Sequence, residues 1–429
     1  MSQTRYTAIP LSALLLFLGS TPVLAEPPPA VFGEIVDGAT HKPIAGAWVV
    51  SAGEVTRTDS AGHFALSKKG ATIGAHATGY ARQQFPANSD TRQLALAPFH
   101  VRGLYLSHSG VGSMLLRNEV LDTAAKAELT AIVVDVKGDR GFISYPTHTA
   151  MAIQIGANHN VTMPDPAAFL ADLHKRHLYA IARIVVFKDN PLARSHPDLA
   201  VENAQGSLFV DREGLAWTDP FNHTVWEYNI NLAVETAALG FDEIQFDYVR
   251  CPDQKGVQFS KTNTEANRIE TIVGFLSEAH KRLLPYNVSL SSDNFGYECW
   301  NTGDIGIGQC LADIGPVVDY MSPMLYPSSF QFGIPGLRHP LDDPYRIVFA
   351  SLQKAKEHTG FAAAIFRPWL QAFNDYAFDR RKFGRVQIEQ QIKGAQDAGA
   401  SGWLLWDPRN QYSAADLAAI GRTLGWVAK

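Results

Sequence analysis

Carboxylates recur in this chain at the ends of apolar runs, where a fold can bury a charge and put it to use. The most informative run is Gly240-Phe-Asp-Glu-Ile-Gln-Phe-Asp-Tyr-Val-Arg-Cys-Pro252, which reads as a buried strand ending in charge. Ile244, Phe246 and Tyr248 alternate with Gln245, Asp247 and Val249, so the two sets face opposite sides of a sheet. Two further runs behave alike: Val134-Asp-Val-Lys137 places Asp135 and Lys137 on one face, and Leu290-Ser-Ser-Asp293 ends on Asp293. Paired carboxyl groups are what glycoside cleavage needs, one as acid and one as nucleophile or base. Asp247 is the candidate nucleophile or base. Asp293 is the candidate acid, its pKa raised by burial and by Asp247, and Asp135 is the reserve. The bland alternatives are an ion pair of Asp135 or Asp247 with Lys137 or Arg183, and a turn cap at Asp293.

Other strand ends add groups suited to sugar hydroxyls and ring faces: Arg183, Gln245, Tyr326, Arg367, Trp369, Gln371 and Trp406. Trp369 and Trp406 are candidate platforms for a sugar ring, whereas Trp403 and Trp226 read as packing.

These groups need a scaffold that gathers strand ends. From residue 100 to 429 strand-like runs alternate with amphipathic helices. Eight strands are expected, at 101–107, 131–137, 179–187, 243–249, 288–294, 318–326, 363–371 and 402–406. Helices are expected at 166–177, 223–238, 264–284, 344–358, 386–398 and 414–424. Asp165 and Asn222 are placed as N-caps, and Pro166 stands at a first helical position. Eight β/α units fit a (β/α)8 barrel, whose chemistry lies at the C-terminal ends of its strands. An open doubly wound sheet is the competing fold. The chain lacks the GxGxxG or GxxxxGK[ST] loop that would support nucleotide binding there.

Residues 31–98 differ in texture: short β-rich runs punctuated by Gly, Asp and Pro predict a small all-β sandwich. Before it, Glu26-Pro-Pro-Pro-Ala30 reads as a stiff spacer, and residues 1–25 read as a secretory signal peptide. Arg5 precedes the apolar core Leu11–Leu18, and Val23-Leu-Ala25 supplies small residues for cleavage after Ala25. The expected location is therefore secreted or periplasmic. Removing residues 1–25 takes the formal charge from −5 to −6. A mildly acidic chain without a basic cluster argues against a nucleic-acid partner, and no later apolar run is long enough to span a bilayer. Of the three cysteines, Cys299 and Cys310 are the preferred disulfide, with pairings to Cys251 left open. None has zinc-ligand spacing; no metal and no cofactor are expected.

Two resemblances follow from these motifs. Gly33-Glu-Ile-Val-Asp37, Lys42-Pro-Ile-Ala-Gly-Ala-Trp-Val-Val50, Thr58-Asp-Ser-Ala-Gly-His-Phe64 and Ala77-Thr-Gly-Tyr80 resemble the carboxypeptidase-regulatory-like sandwich family, whose modules are usually accessory. The key strand, with Trp217-Thr-Asp-Pro220, Asp304-Ile-Gly-Ile-Gly-Gln309, Asp319-Tyr-Met-Ser-Pro-Met-Leu-Tyr-Pro327, Arg367-Pro-Trp-Leu-Gln371 and Gly402-Trp-Leu-Leu-Trp406, resembles the bacterial glycoside hydrolase domain family first catalogued as a domain of unknown function. That resemblance covers about residues 100–425 and implies a glycoside hydrolase barrel without naming its substrate, which is expected to be a polysaccharide. The strand also resembles the chitinase-type DGxDxDxE signature, but Glu243, Gln245 and Val249 depart from it. Val249 stands where that signature has its catalytic Glu, so an acid must come from another strand. A non-catalytic polysaccharide-binding protein with a degenerate barrel is the alternative reading, and metal-dependent deacetylation a weaker third.

Overall fold

In the computed structural model, which describes residues 1, 31–87 and 93–427, the two regions take the two architectures that their textures predict. The signal peptide and the Pro-rich spacer lie outside the described residues.

Within residues 31–87 and 93–98 two sheets face each other. One has the order β4-β1-β7 and the other β3-β2-β5-β6, built from β1 Val31–Asp37, β2 Trp48–Ser51, β3 Glu54–Arg57, β4 His63–Leu66, β5 Thr72–His76, β6 Gln83–Pro86 and β7 Gln93–Leu96. Alternation sets the faces: Phe64 and Leu66 are buried between exposed His63 and Ala65. Ile35, Val49, Ile73 and Leu94 join them in one small core.

From Val101 the chain closes an eight-stranded parallel barrel: β8 Val101–Leu106, β9 Ala131–Lys137, β10 Tyr179–Val185, β11 Glu243–Asp247, β12 Ser289–Phe295, β13 Tyr320–Met324, β14 Trp369–Gln371 and β15 Gly402–Trp406. Strands covered on both faces are largely apolar, and all seven residues of β9 are buried, Asp135 and Lys137 among them. The main covering helices are α1 Met114–Lys126, α2 Pro166–Lys175, α3 His223–Leu239, α4 Glu265–Leu283, α5 Pro344–Thr359, α6 Arg385–Asp397 and α7 Ala414–Leu424. Between β12 and β13 the helix shrinks to Leu311–Ile314.

Local chemistry sets the helix ends. Asp165 accepts from the Ala168 amide ahead of Pro166, and Asn222 accepts from the Thr224 amide. Thr264, expected as the first residue of a helix, instead caps α4 by accepting from the Asn267 amide.

Two departures from the expected strands affect the site. The seventh strand begins at Trp369, not 363, because Ala363–Ile365 turns as a 3-10 helix and Pro368 cannot donate to a ladder. In β9 the register with β10 slips by one residue: Arg183 faces Asp135, but the next residue, Ile184, faces Lys137. This bulge turns Lys137 away from Asp135, against the expectation of a shared face. Lys137 is buried on the helix side, bonded to Asp189 at 2.6 Å and Asn229 at 2.7 Å.

The sandwich docks on the N-terminal end of the barrel. Arg82 donates to Asp242 at 2.8 Å, His76 meets the Asn287 side chain at 2.8 Å, and the Gly79 amide donates to the Tyr320 hydroxyl at 2.9 Å. Among the described residues no helix is long and apolar enough to cross a membrane.

Candidate active site

The opposite, C-terminal end of the barrel opens on a cleft of about 250 Å³. β11 brings Asp247 to it and β12 brings Asp293. The ladder pairs Gln245 with Ser291 and Phe246 with Ser292, so the two aspartates stand on the next rung of neighbouring strands. Tyr326 follows β13, Trp369 opens β14 and Trp406 ends β15; all three line the same cleft.

Arg183, projecting from β10, organises the carboxylates. Its Nε and Nη2 donate to Asp247 Oδ2 at 2.9 and 2.5 Å, Nη1 to Asp135 Oδ1 at 2.7 Å, and Nη2 to Asp139 Oδ1 at 2.7 Å. Burial works against the guanidinium charge, but Asp247, Asp139 and Asp135 outweigh it and hold the pKa well above its ordinary value. The ring of Trp406 lies under this guanidinium at 4.8 Å and stacks on Tyr105 at 3.8 Å. Arg183 is therefore a clamp with its fork filled by carboxylates, not a free sugar ligand.

The two central aspartates differ in dress. Every hydrogen bond on Asp247 comes from an N–H: Arg183 on Oδ2, and its neighbour's amide, Tyr248, on Oδ1 at 2.6 Å. Tyr248 itself has φ 48°, a left-handed conformation rare for a bulky residue, and this turn ends the alternation that the sequence implies. Among the described residues no cation bonds the Asp293 carboxyl. Burial, then the Asp247 charge, push its carboxyl well above the usual carboxylate range. Trp369 Nε1 donates to Asp293 Oδ1 at 2.7 Å, leaving Oδ2 to carry a proton.

Asp135 is set back from the cleft. Tyr105 donates to its Oδ2 at 2.6 Å, the His108 amide to the same oxygen at 3.2 Å, and Arg183 to its Oδ1. Burial pushes its pKa up. The structural ion pair weighed for Asp135 is thus present, with Arg183 and not with Lys137.

Several expected sugar ligands are placed elsewhere. Arg367 lies at the bottom of the barrel, bonded to Glu243 and lying over the Tyr320 ring at 4.0 Å. The late start of β14 leaves it below the strand. Gln245 sits in the barrel interior, donating to Ser322 Oγ at 3.3 Å, one layer below the cleft. Gln371, the last residue of β14, is buried outside the cleft lining, tied to Ser328 Oγ at 2.8 Å and to the Phe373 carbonyl at 3.1 Å. Trp369, 1% exposed, presents no open ring face and holds Asp293 instead of a sugar. Trp406 is partly exposed and does wall the cleft. Cys299 and Cys310 are not joined: all three cysteines are free and buried, and the Cys310 thiol points to the Thr302 carbonyl at 3.6 Å.

Arg250, which follows the key strand, lines the cleft too, and so do four residues that strand-end reasoning passed over: Asp139, Tyr248, Phe295 and Gln309. Gln309 Nε2 donates to the Asp293 carbonyl at 2.9 Å while its Oε1 accepts from the Phe295 amide at 2.8 Å. Its signal was the Asp304–Gln309 motif, and that of Asp139 its place two residues past Lys137.

Comparison with known proteins agrees with this architecture. The family described as "Putative glycosyl hydrolase domain" matches residues 103–412. No curated protein matches the chain. Among solved structures, the PgaB (BpsB) glycoside hydrolase domain from Bordetella bronchiseptica is 12% identical, with 75% of this chain and 99% of that one covered and a TM-score of 0.55. A β-galactosidase from the psychrophilic Marinomonas ef1 is 10% identical over 76% of this chain and 59% of its own, with a TM-score of 0.54. At these identities both are likenesses of fold. A hypothetical protein from Ruminiclostridium thermocellum ATCC 27405 is 37% identical over 44% of this chain and 96% of its own, with a TM-score of 0.40.

Proposed function

The chain belongs to the "Putative glycosyl hydrolase domain" family, and on that premise we propose that it hydrolyses glycosidic bonds of a polysaccharide, an exopolysaccharide or cell-wall glycan, with Asp293 and Asp247 as its carboxyl pair. One observation carries this reading: two carboxyl groups from adjacent strands open on a single cleft, and one of them is held well above the usual carboxylate range. That division is what an acid and its partner require.

In the proposed reaction Asp293 Oδ2 donates its proton to the leaving-group oxygen as the glycosidic bond breaks, with Trp369 fixing the other oxygen. Asp247 acts from the neighbouring strand as nucleophile on the anomeric carbon or as base toward a water, held in place by Arg183 and the Tyr248 amide. The Trp406 face and Tyr326 flank the sugar. The same geometry weighs against the binding-only reading, because Arg183 grips Asp247 and Asp135 but leaves Asp293 unpaired at an open cleft. We propose further that the enzyme works outside the cytoplasm, on the strength of the leader-like residues 1–25. The sandwich, docked far from the cleft, suits the accessory role that its resemblance implies.

The test is reducing-end release from a panel of bacterial exopolysaccharides and cell-wall glycans. Asp293→Asn and Asp247→Asn should each lower the rate by about 10²–10⁴-fold. Asp293→Asn breaks no ion pair and should unfold no lower than the parent. Asp247→Asn should lose some stability with its Arg183 contact. Full activity in either variant removes that residue from the mechanism.

A further inference from the structure

The cleft over Asp247 and Asp293, at about 250 Å³, falls below the usual 300–1,000 Å³ of small-molecule sites. A polymer needs more room than that, and the same face of the barrel supplies it. A second cavity of about 420 Å³ opens between the loops that follow β14 and β15.

The two spaces share a wall. Trp406, which walls the cleft, ends β15, and Asp407, the next residue, lines the second cavity. The Ala372 amide donates to the Trp406 carbonyl at 3.0 Å, so both loops leave the barrel side by side. Tyr326 of the cleft meets Phe373 edge-on at 5.4 Å, and Phe373 lies against Tyr376 at 6.0 Å with the rings 23° apart. Phe373 and Tyr376 line the second cavity, and Tyr376 is 47% exposed. Aromatic surface thus runs from the reacting carboxylates into the second space.

Charge decides what the cavity takes. It lies by the first residues of α6 and α7, where helix ends would welcome an anion. But Asp407 and Asp416 face Arg409 alone there, and the Ser413 hydroxyl already accepts from the Asp416 amide. A phosphate or a uronate would meet two carboxylates and one guanidinium. A neutral pyranose meets no such penalty: its flat face lies on an aromatic ring while its hydroxyls reach Asn374, Asp407 and Arg409. We propose that this cavity is a distal subsite for a neutral sugar residue of the same glycan chain, so that the enzyme engages its polysaccharide across both cavities and favours long chains over short ones. The identification of the ligand as substrate rests on the hydrolase reading.

The experiment uses the full chain carrying Asp293→Asn, run in native gels cast with xylan, laminarin, dextran or hydroxyethylcellulose, and with polygalacturonate as the anionic counterpart. Retardation by at least one neutral polysaccharide is expected, weakened about tenfold in apparent affinity by Tyr376→Ala or Asn374→Ala. Alongside it, the wild-type ratio of kcat/KM on that polymer to kcat/KM on its trisaccharide should fall about tenfold in either variant. Retardation by polygalacturonate alone, by none of the gels, or equally in parent and variants overturns the subsite. Retention that depends on Tyr376, without any hydrolysis by the wild-type chain, sinks the hydrolase reading and leaves the subsite standing. Hydrolysis with an unchanged polymer-to-trisaccharide ratio does the reverse.

Discussion

Asp293 is a carboxyl group whose surroundings ask it to stay neutral. Burial is the largest cause and the charge of Asp247 the second; Arg183 and the Trp369 hydrogen bond pull the other way. An acid catalyst with its pKa raised keeps its proton at pH values where an ordinary aspartic acid, near 3.9, has lost it. Activity should therefore persist at pH values above the ordinary aspartic acid range and fall on a high-pH limb, whose apparent value reports the raised Asp293 carboxyl. Trp369→Phe removes a donor that lowers this value, so the limb in kcat/KM against pH should move up and kcat should drop; a limb that stays put denies Trp369 its positioning role. Stability carries the opposite sign. A carboxyl with a raised folded pKa costs the fold stability as pH rises from the unfolded value toward the folded one. The Asp293→Asn variant, which escapes that cost, should gain in Tm relative to the parent as pH climbs above about 4. At this scale the sequence made Asp247, Asp293, Tyr326 and Trp406 legible, because period-two alternation and strand ends locate them. It could not show that the Trp369 ring is covered, nor that Arg183 spends its donors on three carboxylates, since both depend on what neighbouring strands present.

The elements explain the other misplacements. Lys137 is two residues from Asp135, and alternation puts them on one face until a bulge intervenes; no residue type in Val134–Lys137 announces that slip. Arg367 was assigned to a strand that begins two residues after it, beyond Pro368. Strand order and helix positions were legible because apolar period and caps are local, whereas register is a property of pairs. Barrel closure shows how tight those pairs are. Gly402 of β15 pairs with Val101 of β8 at φ 142°, and a Cβ there would stand 2.0 Å from the Val101 carbonyl oxygen. Gly402→Ala should cost about 2–5 kcal/mol, from backbone strain together with overpacking. Urea unfolding should show a lower midpoint at unchanged slope; a midpoint equal to the parent's would mean that the seam between β15 and β8 yields without cost.

For the molecule as a whole, the question is what the sandwich contributes from the end of the barrel away from the cleft. Its contact with the barrel is polar and titratable. Asp242 accepts from Arg82 and from the His174 ring at 3.0 Å. His76 and His280 both approach Asp319, at 3.9 and 3.5 Å. Burial alone would raise the Asp242 pKa, but His174 and Arg82 outweigh it and hold it below the ordinary value. Its contribution is therefore present above about 3.9, the unfolded value, and is lost as pH falls through the lower folded value. The His174 pKa is raised, chiefly by its hydrogen bond to Asp242. Its contribution is full below about 6.5 and is lost as pH rises through the folded value. Burial holds His76 below its usual range, so charging it in acid opposes docking as well. The Asp242 cluster, to which the sandwich contributes Arg82 and the barrel His174, should thus stabilise the fold most between about pH 4 and 6.5. Asp242→Asn should lower Tm most within that window, by several degrees, and the gap to the parent should close as the pH drops below about 4. Hydrolysis measured well below Tm should change little, because Asp242 and the cleft lie at opposite ends of the barrel. A Tm difference that is flat across pH would mean that Asp242 holds the sandwich by shape and not by charge.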